Sequence, residues 1–169
     1  MKPLLVLLLA FGVLAAGTYF LQGQADFVLA GNGAMSAMLV FTAIGHFAFT
    51  QGMMRMLPEF LPAKKALVYS TGVLELAAAV GMLLPEWRER TAYCLLAFFV
   101  LILPANIYAA LGHLNYQTGT PDGPGPRYLW FRIPLQLLFM AWTWYFALYL
   151  PFVTTFYEWF FSPLMKASF

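Results

Sequence analysis

An all-α, polytopic transmembrane helix bundle is the fold class this chain predicts, and three observations predict it. Of its 169 residues, 62% are hydrophobic and 9% charged, and the mean hydropathy is +0.75. Soluble domains run near ~45–50% apolar and ~25% charged, and a small domain exposes too much of its surface to hide such an excess from water. The apolar residues also fall into five runs that match the about 20 helical residues needed to cross a ~30 Å hydrocarbon core. Finally, no segment alternates strictly, as the strands of a membrane barrel do. Together these exclude a soluble enzyme, a disordered chain and a nucleic-acid binder working through a basic face.

The predicted spans, in order, are Pro3 to Leu21, Ala34 to Met54, Ala66 to Leu84, Thr91 to Leu111 and Tyr128 to Leu150. The first has two readings. Lys2, an apolar run and then Ala15-Ala16-Gly17 resemble a signal peptide, but the run continues through Tyr19, Phe20 and Leu21, long enough for an uncleaved helix. The uncleaved reading is preferred, with residues 1–22 as an N-terminal helix, 34–150 as a four-helix core and 151–169 as an aromatic tail along the interface. Gln22 to Gly33, with its three glycines, reads as a loop. Pro58 and Pro62 bracket the connection after the second span, and Pro85 closes the third. Gly112 to Tyr128, with four glycines and three prolines, cannot continue a helix and reads as a slack connector rather than a flap.

Lys2, Arg55, Lys64, Lys65, Arg127 and Arg132 fall on one side of this topology, and Arg88, Arg90 and Lys166 on the other. The positive-inside rule then predicts an inner-membrane protein with its N-terminus in the cytoplasm. Cys94 is the only cysteine, which excludes an intrachain disulfide and any cysteine-based zinc site. It reads as a small apolar filler. The dispersed methionines read as packing. Within the spans no two metal-type ligands recur at helical spacing, and no metal is predicted.

Polar groups inside the spans carry the functional signal, because ionisable residues there cost about 2.5–3.5 kcal/mol each on insertion scales. His46 lies eight residues from the inner end of its span, a depth of ~12 Å, with Thr42 and Thr50 on the same face. Glu75 lies nine residues into the third span, with Thr71 one turn below and Gly72 beside it. Asn106 follows Pro104, and Arg132 and Gln136 form an i, i+4 pair around Pro134. All fall in the same half of the bilayer. An antiparallel bundle brings them together, with Glu75 expected to pair with Arg132, since a lone buried charge is far costlier than a paired one. Tyr69 and Tyr108 are expected at the edge of the cluster. The structural alternative is that Asn106 and Gln136 only join helices, at ~0.6 kcal/mol per contact, and that Arg132 snorkels to the surface.

These residues also resemble a known family. Gly45-His46-Phe47, Met56-Leu57-Pro58 with Leu61-Pro62, Val68-Tyr69 with Gly72 and Glu75, Pro104-Ala105-Asn106, and Arg132-Ile133-Pro134-Leu135-Gln136 resemble, in order and spacing, the DoxX-like membrane proteins. The resemblance covers roughly residues 36–150 and implies a four-helix transmembrane core. The first helix and the tail lie outside it, and Ala48 stands where a proline often follows the His-Phe pair. The family name is associated with a thiosulfate:quinone oxidoreductase and with membrane redox complexes.

The expected function is therefore a small quinone-linked membrane subunit. His46 and Glu75 would be its catalytic proton-exchanging pair, and Asn106, Arg132, Gln136, Tyr69 and Tyr108 would hold a quinone-like head group. A structural or assembly protein, and a transporter or small-ligand binder using the same cluster, are the alternatives. The expected partners are the lipid bilayer, a second copy of the chain or a redox partner protein, and no nucleic acid.

Overall fold

The computed structural model describes residues 2–157. They form an antiparallel helical bundle in which five helices are long and apolar enough to cross a membrane, with no strand among them. The all-helical prediction holds, and the chain is a membrane protein by the length and composition of these helices.

Helix α1 is Lys2–Gln22, α2 is Phe27–Ala48, α3 is the short Thr50–Arg55, α4 is Lys64–Leu83, α5 is Pro85–Leu111 and α6 is Leu129–Thr143. A 3₁₀ turn, Pro126–Tyr128, leads into α6, which passes through a π turn, Trp144–Tyr149, so that the last span runs Pro126–Tyr157. The end of the bundle where α1 begins is called proximal below, and the end where α1 stops is called distal.

Several boundaries differ from the predicted ones, each for a local reason. The loop predicted over residues 22–33 is short, because Asp26 caps α2, its carboxylate accepting from the Leu29 amide at 2.8 Å. Gly31 and Gly33 thus lie inside α2 and work as contact points. A Cβ at Gly31 would overlap the Phe146 ring, and one at Gly33 would sit 2.6 Å from Leu14. The second predicted span is interrupted at Phe49, where φ −116° and ψ 30° leave the helical region and separate α2 from α3. Pro85 ends α4 as expected but also starts α5, since a proline at the first helical position loses no hydrogen bond. Residues 151–157 continue the last helix instead of starting an interfacial tail. Residues 158–169 of that predicted tail lie outside the described residues.

The long connector after α5 is folded, not slack. Gly119 accepts from Arg55 Nη1 at 2.6 Å, and Asn115 and Thr120 pair through the backbone at 2.9 Å. Gly52 of α3 lies so close to the Tyr116 carbonyl that no side chain fits between them. Gly119, at φ +71°, takes the left-handed turn that this docking needs.

Helix α2 is the central helix, with half of its apolar window buried against 11% for α1. The core is Met35, Met38, Leu39, Met82, Leu95, Phe99 and Phe139, with Leu7 of α1 inserted into it. Close approach is built from small residues and backbone acceptors. Ser36 donates to the Ala79 carbonyl, and Gly81 leaves no room for a side chain against Thr91. Without a hydrophobic drive between helices in lipid, such contacts hold the spans together.

Candidate functional site

Glu75 sits in mid-α4 and is 6% exposed. His46, in the last turn of α2, brings its Nε2 to 3.5 Å from Glu75 Oε2. Gly72 makes the approach possible, since a Cβ there would lie 3.0 Å from His46 Cβ and 3.1 Å from Phe47 Cζ. This is the one ion pair among the described residues.

The other face of the imidazole meets Thr71. Thr71 Oγ1 lies 3.1 Å from His46 Nδ1 and within hydrogen-bond distance of the Val68 and Leu67 carbonyls, at 2.8 Å and 3.1 Å. Nε2 faces the carboxyl, and a carboxyl in mid-membrane is expected to have such a partner beside it.

Glu75 Oε2 is also buried without a hydrogen-bond donor among the described residues. The carboxyl borders a cavity of about 50 Å³, whose polar lining is Thr42, Arg132 and Gln136. A water needs roughly 10–15 Å³ in such a measure, so the space takes a few waters. It is far below the roughly 300–1,000 Å³ of sites that hold drug-sized ligands, and a quinone ring does not fit in it. Pro3, in the first turn of α1, forms part of its wall. That contribution had no signature in the sequence, because it depends on where α1 packs.

The expected Glu75–Arg132 pair is not formed. Both side chains line the cavity, but Arg132 Nη2 donates to Asn106 Oδ1 at 3.3 Å, and His46 takes the carboxyl. Asn106 is itself oriented by donating to the Ile102 carbonyl at 3.1 Å. Gln136 donates to the Phe99 carbonyl, next to the Val100 carbonyl that Pro104 leaves without its helical donor. Arg132 through Asn106, and Gln136 directly, thus tie α6 to α5, and Arg132 and Gln136 wall the cavity. Tyr69 and Tyr108 do not join them. Both are exposed; Tyr69 stacks on Phe47 at 5.7 Å beneath the Lys65 ammonium. Of the residues expected to form the site, the structure joins His46 to Glu75, brings Arg132 and Gln136 to the same cavity with Asn106 one bond behind, and leaves the two tyrosines outside. Thr71 and Thr42 are the additions, and their position on the His46 and Glu75 faces is the signal that marks them.

Fold and site together define a five-span helical membrane protein with a buried His–Glu pair beside a water-sized cavity. Residues 35–147, about two thirds of the chain, match the family described as "Domain of unknown function (DUF8561)", and the chain belongs to that family. The matched stretch contains His46, Thr71, Glu75, Asn106, Arg132 and Gln136, while α1 lies outside it. No curated protein and no solved structure matches the chain.

Proposed function

We propose that this protein is a DoxX-like membrane subunit that holds and exchanges a proton inside the bilayer, in the service of a quinone-linked redox system. The observation that carries the reading is the His46 Nε2–Glu75 Oε2 approach of 3.5 Å at a cavity sized for water. Glu75 stores the proton out of contact with solvent. His46, whose side chain is 19% exposed against 7% for Glu75, is the group through which it enters and leaves. The DoxX-like pattern supports the redox setting. A quinone ring is too large for this cavity, so in this reading it would sit at the bundle surface or on a redox partner protein, and the chain's own part is proton handling. The excess of Lys and Arg at the proximal end supports a cytoplasmic N-terminus.

The test is infrared difference spectroscopy on the protein in lipid nanodiscs, with and without a short-chain quinone and its reduced form. The reading expects a carboxyl band that changes with quinone redox state and disappears in Glu75→Gln. A carboxyl band indifferent to quinone would remove the redox setting, and the absence of any band lost in Glu75→Gln would remove the site.

A structural role is the second reading, favoured by the Arg132–Asn106 and Gln136–Phe99 bonds that lock α6 to α5. It expects the Glu75→Gln, Arg132→Gln double variant to lose the fold or to behave as the parent, with no separable loss of proton exchange.

A further inference from the structure

The distal end carries a second concavity, remote from the Glu75 cavity and independent of the proton reading. It is a groove of about 560 Å³ between the first turns of α5 and the far end of the last span. Its volume falls in the roughly 300–1,000 Å³ range of small-molecule sites. Tyr93, Trp144, Tyr149 and Phe152 wall it, and all four are exposed on the outside of the bundle. In a membrane that outside is lipid. Trp144 and Tyr149 stack on each other at 5.1 Å and 21°, so they present one flat wall rather than a cage. The π turn, Trp144–Tyr149, supplies this wall, and π turns recur at functional positions in helices.

The rim of the groove carries both signs of charge. Arg88 is fixed by one bond, Nε donating to the Met82 carbonyl at 3.1 Å. None of the described residues accepts from its two Nη groups, and none lies at ion-pair distance, although the Asp26 carboxylate at the start of α2 is near enough to act on its charge. Glu89 is exposed and has no ion-pair partner among the described residues. Adjacent residues on a helix do not face each other, so the two charges are presented side by side instead of cancelling. Arg90 sits over the Trp87 ring at 5.7 Å on the same turns, and Trp and Tyr mark the headgroup level of a bilayer. Leu96, at the deep end, lies eight residues further along α5, or ~12 Å into the hydrocarbon.

We propose that this groove binds a phospholipid of the ethanolamine type. The Arg88 Nη groups donate to the phosphate, the Glu89 carboxylate accepts from the primary ammonium, and one acyl chain lies along the Trp144–Tyr149 wall toward Leu96. Phosphate recognition by a guanidinium fork is charge-assisted and directional. A choline headgroup lacks the N–H groups Glu89 would receive, and a glycerol headgroup lacks the cation.

The test is native mass spectrometry of the full chain released from nanodiscs made with equal amounts of phosphatidylethanolamine, phosphatidylcholine and phosphatidylglycerol. The parent protein is expected to retain one phosphatidylethanolamine several-fold above the other two. Glu89→Gln, which removes a charge from an exposed position and no contact of the fold, is expected to abolish the discrimination between ethanolamine and choline lipid while keeping one bound phospholipid. Arg88→Gln is expected to lose retention of all three. Equal retention by the parent, a preference for either other lipid, or a preference unchanged in Glu89→Gln would overturn the proposal.

Discussion

Asn32 in the distal half and Glu75 in the proximal half make an instructive pair. Each is almost wholly buried, and each has one oxygen without a hydrogen-bond partner among the described residues. Asn32 spends its amide protons on the Val28 and Phe146 carbonyls, both at 2.8 Å, and so pins the π turn of the last span to α2. Trp142 adds a bond to the Gly31 carbonyl at 3.0 Å, and Gly31 itself receives the Phe146 ring. Every part of that contact is neutral. The idle amide oxygen is a penalty of about 1–3 kcal/mol inside a joint that is otherwise complete. Glu75 has no such alternative. An isolated carboxylate in the membrane is far too costly, and the structure sets His46 beside this one at 3.5 Å. Equal burial therefore means a clamp at one end and, on the proposed function, a proton store at the other.

Four substitutions break or sharpen this contrast. Gly31→Val should have the largest effect on stability, about 3 kcal/mol or more, because the new side chain overlaps Phe146 near its backbone and cannot be accommodated by rotation; thermal unfolding in detergent reads it. Asn32→Leu should lose about 2 kcal/mol by leaving the Phe146 carbonyl undonated, while proton exchange at Glu75 persists. Gly72→Ala should cost about 1 kcal/mol and lengthen the His46–Glu75 approach, since a methyl meets His46 Cβ at 3.0 Å; the carboxyl infrared band should shift more than the melting temperature. Glu75→Gln should change stability least, by under about 1 kcal/mol, because it replaces a buried acid by a neutral isostere, yet it should erase proton exchange entirely. If Glu75→Gln unfolds the protein as thoroughly as Gly31→Val, the two halves do not differ in kind.

Much of this was legible before the structure. The five spans follow from hydropathy, because lipid demands continuous apolar helix. Counting residues from the span ends placed His46 and Glu75 at one depth, and the antiparallel order did the rest. That His46, and not Arg132, takes the carboxyl was not legible. Which neighbour a mid-helix carboxyl meets depends on rotation about the helix axis, and Gly72 decides it by letting α2 come close. Arg132 looked like the natural counter-charge only because sequence reports charge and not direction. Helix ends also escaped prediction where packing overrides composition. Gly31 and Gly33 read as loop residues but serve as helix contacts, where close packing against Phe146 and Leu14 offsets their low helix propensity. The π turn and the wall that Pro3 contributes have no local signature at all.

The most direct measurement is the infrared carboxyl region of the protein in nanodiscs, titrated with pH in H₂O and D₂O, for the parent, Glu75→Gln and His46→Gln. A shared and exchangeable proton predicts a buried carboxyl band that is absent in Glu75→Gln, shifts on deuteration, and changes its titration when His46 is replaced. A Glu75 band that titrates identically with and without His46, or that never exchanges with D₂O, would contradict it.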